Sequence, residues 1–208
     1  MTIRNPIDIL TRVTFVGAIA LIISSCAAPD THHHIVVSIR EQKLALLDRD
    51  NLIAIYPVST SKFGLGDWPG SSCTPLGELE IAEKIGDQAP PGAVFKDRRR
   101  TGEIVLPDSP GRDPIVTRIL WLRGREAQNG NAFARTIYIH GTPEERNIGL
   151  PVSYGCVRMR SSDIIQLYDI VGAGAAVTIV DAPLADAVPS LMSAHSMAAT
   201  NTAPFVMR

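Results

Sequence analysis

The chain has almost no excess of charge of either sign. Its 20 Lys and Arg stand against 21 Asp and Glu, a formal net of −1 at pH 7. No global field therefore draws it to nucleic acid or to an anionic surface. Nor is there a hydrophobic run long enough to span a bilayer. The longest, residues 13–23, has eleven residues, where a spanning helix needs about 20. Cysteine is scarce, with only Cys26, Cys73 and Cys156, and there are no internal repeats. A histidine-based metal site is also disfavoured. His32, His33 and His34 are adjacent, and neighbours on an extended chain point to opposite sides, so they cannot converge on one ion without a turn. They read as a solvated linker. What remains is 208 residues, room for one domain with a sizeable core plus appendages.

Both ends differ from the middle. Arg4 and Arg12 lie in a polar lead before the apolar run, whose length suits the h-region of an export signal. The run ends in "ISSC", which resembles a bacterial lipoprotein box. That resemblance implies a diacylglyceryl group on Cys26, cleavage before it, and an anchor in the membrane through the N-terminal lipid. An ordinary cleaved signal or a short anchor helix is the alternative. Ala27, where an aspartate could stand, leans the destination toward the outer membrane. On any of these readings the domain works in the cell envelope or periplasm. Residues 1–26 are thus expected to be a signal peptide, 27–33 a tether, 34–182 the domain, and 183–208 a tail of low order. With Cys26 acylated, Cys73 and Cys156 can pair or stay free in an oxidising compartment.

Short runs rich in β-branched residues, "HIVVSI" (34–39), "KLALLD" (43–48) and "LIAIYPVS" (52–59), predict a meander with turns at 40–42 and 49–51. Residues 60–77, rich in glycine and proline, read as a loop. "ELEIAEKIG" (78–86) reads as a strand, with a helix as the alternative. Residues 87–113, holding Arg98, Arg99 and Arg100, read as a long, partly structured loop of a length that suggests function. "PIVTRILWLRG" (114–124) and "ARTIYIHG" (134–141) are the strongest strand signals. In the second, alternation puts Thr136, Tyr138 and His140 on one side and Ile137 and Ile139 on the other. Residues 161–174 predict the one helix, capped by Ser161 or Ser162 and ended by Gly172. Residues 175–181 are a last strand. The sum is a mainly β domain, compact and closed.

The stretch "SYGCVRM" (153–159) follows "YIHGT" closely, and His140 precedes Cys156 by sixteen positions (156 − 140). A thiol with a pKa near 8.5 needs an imidazole or other positive potential to attack at neutral pH, and His140 at a strand end is the candidate. Gly155 lets a bulky acyl group approach. The N–H groups of Gly155 and Cys156 can point at a developing oxyanion. Arg158 can hold a carboxylate, or serve as a structural ion-pair partner. Trp68 and Trp121 could be glycan platforms but read as packing. A free cysteine is often just a small buried hydrophobe.

"HGT" followed by S-x-G-C-V-R-M, with "TPLGE" (74–78) upstream, resembles the L,D-transpeptidase (YkuD-type) catalytic domain over roughly residues 34–181. The resemblance implies a closed β-sandwich or barrel-like catalytic domain with one helix after the catalytic cysteine. It implies Cys156 as nucleophile, His140 as base and the Gly141 carbonyl as orienter of the ring. Gly155 and Cys156 would form the oxyanion hole, Ser153 would shape the site, and Arg158 would hold substrate carboxylate. Tyr154 stands where many members have histidine. The implied reaction is acyl transfer from a peptidoglycan stem peptide, with D-alanine leaving, to another stem or to an envelope protein's lysine. It needs no metal or organic cofactor. Two rivals remain: water as acceptor, making a carboxypeptidase or amidase, and a non-catalytic wall-binding lipoprotein.

Overall fold

The computed structural model describes residues 28–188 and Leu191. The expected signal segment with Cys26, and nearly all of the tail beyond Val188, lie outside the described residues. Ten strands are present: β1 His33–Ser38, β2 Lys43–Asp48, β3 Asn51–Pro57, β4 Gly77–Ile85, β5 Ala93–Lys96, β6 Arg99–Ile104, β7 Ile115–Gly124, β8 Tyr138–Gly141, β9 Val157–Met159 and β10 Ala176–Val180. Helix α1 spans Ser161–Ile170 and α2 Leu184–Ala187. The sheet runs β3-β2-β1-β10-β4-β7-β5-β6, with β8 on β7 and β9 on β8. Pairing is antiparallel except for β1 with β10 and β8 with β9.

The sheet closes on itself. Beyond β3 the chain pairs Ser59 with Arg158 and Ser61 with Ser153, joining the first edge to β9. The ring so formed encloses one core, in which Ile35, Leu46, Leu79, Leu122, Ile139 and Met159 meet Ile164 and Leu167 of α1. Closure joins the β3 end of the sheet to β9, while β6 stays an open edge outside the ring. It also sets the anatomy of the site, because residues alternate between faces. Ile137, Ile139, Val157 and Met159 point into this core. Tyr138 therefore points the other way, into a smaller cluster with Phe95, Ile119, Trp121 and Cys156.

Several elements differ from the sequence reading. Residues 87–113, read as a partly structured loop, hold an unforeseen β5–β6 hairpin between irregular flanks, whose turn places Asp97 and Arg98 at positive φ (49° and 65°). The strand expected over 134–141 begins only at Tyr138. Thr136 sits in a turn at φ 58°, so it does not continue the face of Tyr138 and His140. Helix α1 ends at Ile170, and its first N–H groups are not capped by a serine. Arg160 is the N-cap residue, and the Glu145 carboxylate accepts from Ser161 N at 2.8 Å. At the other end Lys84 Nζ donates to the carbonyls of Tyr168 and Val171 at 2.7 and 2.6 Å, where a cation suits the helix dipole.

Order also reaches beyond the boundaries drawn at 34 and 182. Asp30 accepts from the backbone of His32, His33 and Gly172, so the segment expected as a tether is tied to the domain. Leu184 and Val188 pack on Val36, Ala45 and Leu47, burying the outer face of β1 and β2 under residues expected to be frayed. A second helix therefore joins the one foreseen. The three histidines have separate partners: His32 meets Arg49, His33 meets Asp30, and His34 meets Thr178.

Candidate active site

Strands β8 and β9 run parallel with His140 level with Arg158. Two residues earlier on each strand, that register puts Tyr138 level with Cys156. Tyr138, His140, Cys156 and Arg158 thus share the sheet face turned away from the main core. Cys156 is a diagonal neighbour of His140, a separation side chains can bridge. His140 is buried, and its Nδ1 lies 2.8 Å from the Gly141 carbonyl. That carbonyl can only accept, so Nδ1 carries the proton and Nε2 is left with its lone pair. Burial, assisted by the charge of Arg158, lowers the His140 pKa to about 4, against the opposing pull of the Gly141 hydrogen bond. The ring is neutral at pH 7.

Cys156 is a free cysteine and half-buried as a residue. Its Sγ accepts from Tyr138 N at 3.4 Å and donates to the Thr136 carbonyl at 3.5 Å. The imidazole is not among its hydrogen-bond partners. Burial pushes the thiol up to about 11, although the Tyr138 N–H, Arg158 and Arg135 all favour the anion. At rest, sulfur and imidazole are both neutral.

The turn before the thiol is held from two sides. Ser153 Oγ donates to the Cys156 carbonyl at 2.6 Å and accepts from Gly155 N at 3.2 Å. Thr74 Oγ1 donates to the Gly155 carbonyl at 3.0 Å. This gives the "TPLGE" stretch a physical role as buttress of the turn. It also changes the expected oxyanion hole, because the Gly155 N–H is engaged by Ser153. The Cys156 N–H has no acceptor among the described residues. Glycine at 155 is required for a reason other than substrate access. Its φ is +118°, and a Cβ there would sit 3.1 Å from the Cys73 carbonyl, inside the protein.

Arg158 is buried and paired with Asp113 at 2.7 Å. Thr142 Oγ1 also donates to that carboxylate. The structure thus gives its guanidinium a partner that the sequence did not identify. Tyr154 is exposed and tilts against Phe63 with ring centroids 5.4 Å apart. Lys62 Nζ lies 3.0 Å from the Tyr154 hydroxyl. Cys73 is buried, free, and donates to the Phe63 carbonyl at 3.3 Å. The loop carrying Cys73 is strapped down by buried Arg135, which pairs with Asp67 and donates to the carbonyls of Gly66, Ser71 and Cys73. Trp121 stacks on Phe133 at 4.0 Å, whereas Trp68 is exposed.

One feature had no sequence signal beyond a threonine within an apolar strand. In β7 the register shifts between Val116 and Ile119, opposite the step from Gly141 to His140. The bulge holds Thr117 at φ 72°, a costly conformation for a β-branched residue. Thr117 Oγ1 meets Gly92 N at 2.9 Å and Ser161 Oγ at 2.8 Å. Bulges re-aim neighbouring side chains, and this one lies under the pair that orients the imidazole.

A model of the YkuD L,D-transpeptidase catalytic domain family matches residues 32–179. The chain belongs to this family. Among curated L,D-transpeptidase relatives, it is 29% identical over 161 residues to a putative L,D-transpeptidase YkuD of Bacillus licheniformis, covering 77% of this chain and 73% of that one. It is 28% identical over 173 residues to the probable L,D-transpeptidase YcfS of Escherichia coli, covering 81% of this chain. It spans only half the length of that relative. A solved L,D-transpeptidase from Mycobacterium smegmatis superposes with a TM-score of 0.46 at 20% identity, over 72% of this chain and 58% of that one.

Proposed function

We propose that this L,D-transpeptidase domain transfers an acyl group from a peptidoglycan stem peptide through a thioester on Cys156. The observation that carries the reading is a free thiol, on a half-buried residue, sharing one sheet face with His140, whose free nitrogen is set by the Gly141 carbonyl. For reaction, Sγ leaves the Thr136 carbonyl and turns to Nε2 of His140. The sulfur attacks the carbonyl carbon before a terminal D-alanine as its proton passes to Nε2. The oxyanion that forms is met by the Cys156 N–H. Collapse breaks the C–N bond, and the imidazolium returns the proton to the leaving amine. An amine acceptor then attacks the thioester and releases the thiol. Ser153 and Gly155 hold the turn in shape, Tyr154 flanks the entrance, and Arg158 positions the face through Asp113, with donors left for a substrate carboxylate.

The acceptor is an amine of a second stem or of an envelope protein's lysine. The domain is exported, lipid-anchored through Cys26, and directed to the outer membrane. This placement follows from the apolar segment ending in "ISSC" and from Ala27 after it. Purified disaccharide-tetrapeptide tests the reaction. Cross-linked dimers with loss of D-alanine are expected from the parent protein, and none from Cys156→Ala. Tripeptide without dimers would assign water as acceptor. Unchanged turnover in Cys156→Ala would overturn the site.

A further inference from the structure

The β5–β6 hairpin brings Lys96, Arg98, Arg99 and Arg100 to a groove of about 780 Å³. Four cations face two carboxylates there, Glu83 and Asp97, in a chain whose overall charge is slightly negative. Among the described residues none of the four is in an ion pair, whereas Arg40, Arg112, Arg123, Arg125, Arg135 and Arg158 all are. While β5 buries Ala93, Val94 and Phe95, every residue of β6 is exposed.

The groove connects directly to the thiol. Arg98 lies over the Trp121 ring at 4.6 Å and donates to the Tyr138 hydroxyl at 3.4 Å. The same Tyr138 donates its backbone N–H to Cys156 Sγ. One tyrosine residue therefore separates the reacting sulfur from the cationic rim. Arg98 is held by these contacts, which leaves Lys96, Arg99 and Arg100, the last two as the free guanidinium donors.

We propose that this groove binds a carboxylate of the peptide that Cys156 attacks, contacted by the guanidinium groups of Arg99 and Arg100, which both line it although neighbours on β6 leave the strand on opposite faces; the proposal rests on the function given above. A planar guanidinium fork matches a carboxylate with two parallel hydrogen bonds. Glu83 and Asp97 in the same groove disfavour a densely charged polyanion but leave room for one acidic group.

Binding and turnover are measured separately. Calorimetric titration of Cys156→Ala with an acidic stem tetrapeptide, and with the same peptide amidated at its side-chain carboxylates, reads the groove without chemistry. The acidic peptide is expected to bind about tenfold more tightly, the worth of one charge-assisted hydrogen bond. In Cys156→Ala carrying Arg99→Gln and Arg100→Gln this preference should vanish. In the reactive protein the same two substitutions should raise KM and leave kcat unchanged. Equal binding of the two peptides to Cys156→Ala, or a preference that survives the double substitution, would overturn the proposal. A preference that follows the arginines in a protein without turnover would uphold the groove and sink the catalytic reading instead.

Discussion

His140 titrates far below an ordinary histidine because its imidazolium would be desolvated beside Arg158. As the proposed base, His140 must be neutral to accept the thiol proton, so kcat/KM should hold steady as pH falls from 7 and drop only toward about 4. An acid limb centred near 6.5, measured with the stem tetrapeptide, would show that burial does not govern the base. Folding follows the same linkage. Between pH 6.5 and about 4 the unfolded chain binds a proton at this position that the native state refuses. Stability should therefore decline as pH falls through that window. Replacing His140 with Gln should remove that decline from pH-dependent melting. Cys156 presents the complementary case, held near 11 chiefly by burial. Its thiolate forms as the proton leaves for His140 and is not stored at rest. Slow iodoacetamide alkylation at pH 7, accelerating toward 11, is expected even of a working enzyme. A thioester adduct in the mass spectrum is thus the discriminating readout for catalysis. The neighbouring Cys73→Ser should change melting by less than about 1 kcal/mol, since a serine hydroxyl can donate to the same Phe63 carbonyl.

At the scale of elements, the β7 bulge decides how the histidine is aimed. Gly141 packs so closely here that a Cβ would meet the Val116 carbonyl at 2.6 Å and Thr117 Cβ at 3.1 Å. Replacing Thr117 with Val keeps the shape and deletes the hydroxyl. It leaves Gly92 N–H without its acceptor, and should cost about 1–3 kcal/mol in denaturant unfolding. Activity should fall further than stability predicts, through a shift of the His140–Gly141 step. Much of this level was legible beforehand. Strands with a buried face, such as β2 and β7, announce themselves because burial of one side forces period-two alternation. The β5–β6 hairpin did not, because β6 buries nothing and its residues carry no alternation to read. Strand β9 has only three residues, too few for any periodicity. The caps of α1 were also illegible, since Glu145 and Lys84 arrive from distant sequence.

The whole molecule is a ring whose closure passes through the site. Ser59 and Arg158 exchange backbone hydrogen bonds at 2.8 and 3.0 Å, so the strand that seals the core is the one that follows the thiol. Stability and catalytic geometry are coupled there. The ends reinforce the ring from outside. Burial alone would raise the Asp30 pKa, but hydrogen bonds from Gly172, His33 and His32 hold it down at about 2. Its folded value is depressed, so its stabilisation is present above 3.8 and lost as pH falls toward 2. Replacing Asp30 with Asn should cost about 1 kcal/mol at pH 7, after allowing for solvent screening, and clearly less at pH 2. Leu184→Ala should cost about 2–5 kcal/mol in thermal or urea unfolding by opening the cluster on Val36, Ala45 and Leu47.

The sequence by itself pointed to Cys156 and His140 as the candidate pair, to the glycine of the turn before the thiol, and to the strand that carries the histidine. Those signals are local: side-chain chemistry, glycine's backbone range and alternation imposed by a buried face. Only the tertiary structure decided that Arg158 faces Asp113, that the Gly155 N–H is engaged by Ser153, and that Thr117 is bent beneath the histidine. It alone brought the arginine hairpin to within one tyrosine of the sulfur. Each of these pairs residues separated in the chain by other elements or sets a backbone angle through such a pairing. No periodicity records which strands become neighbours until the ring closes.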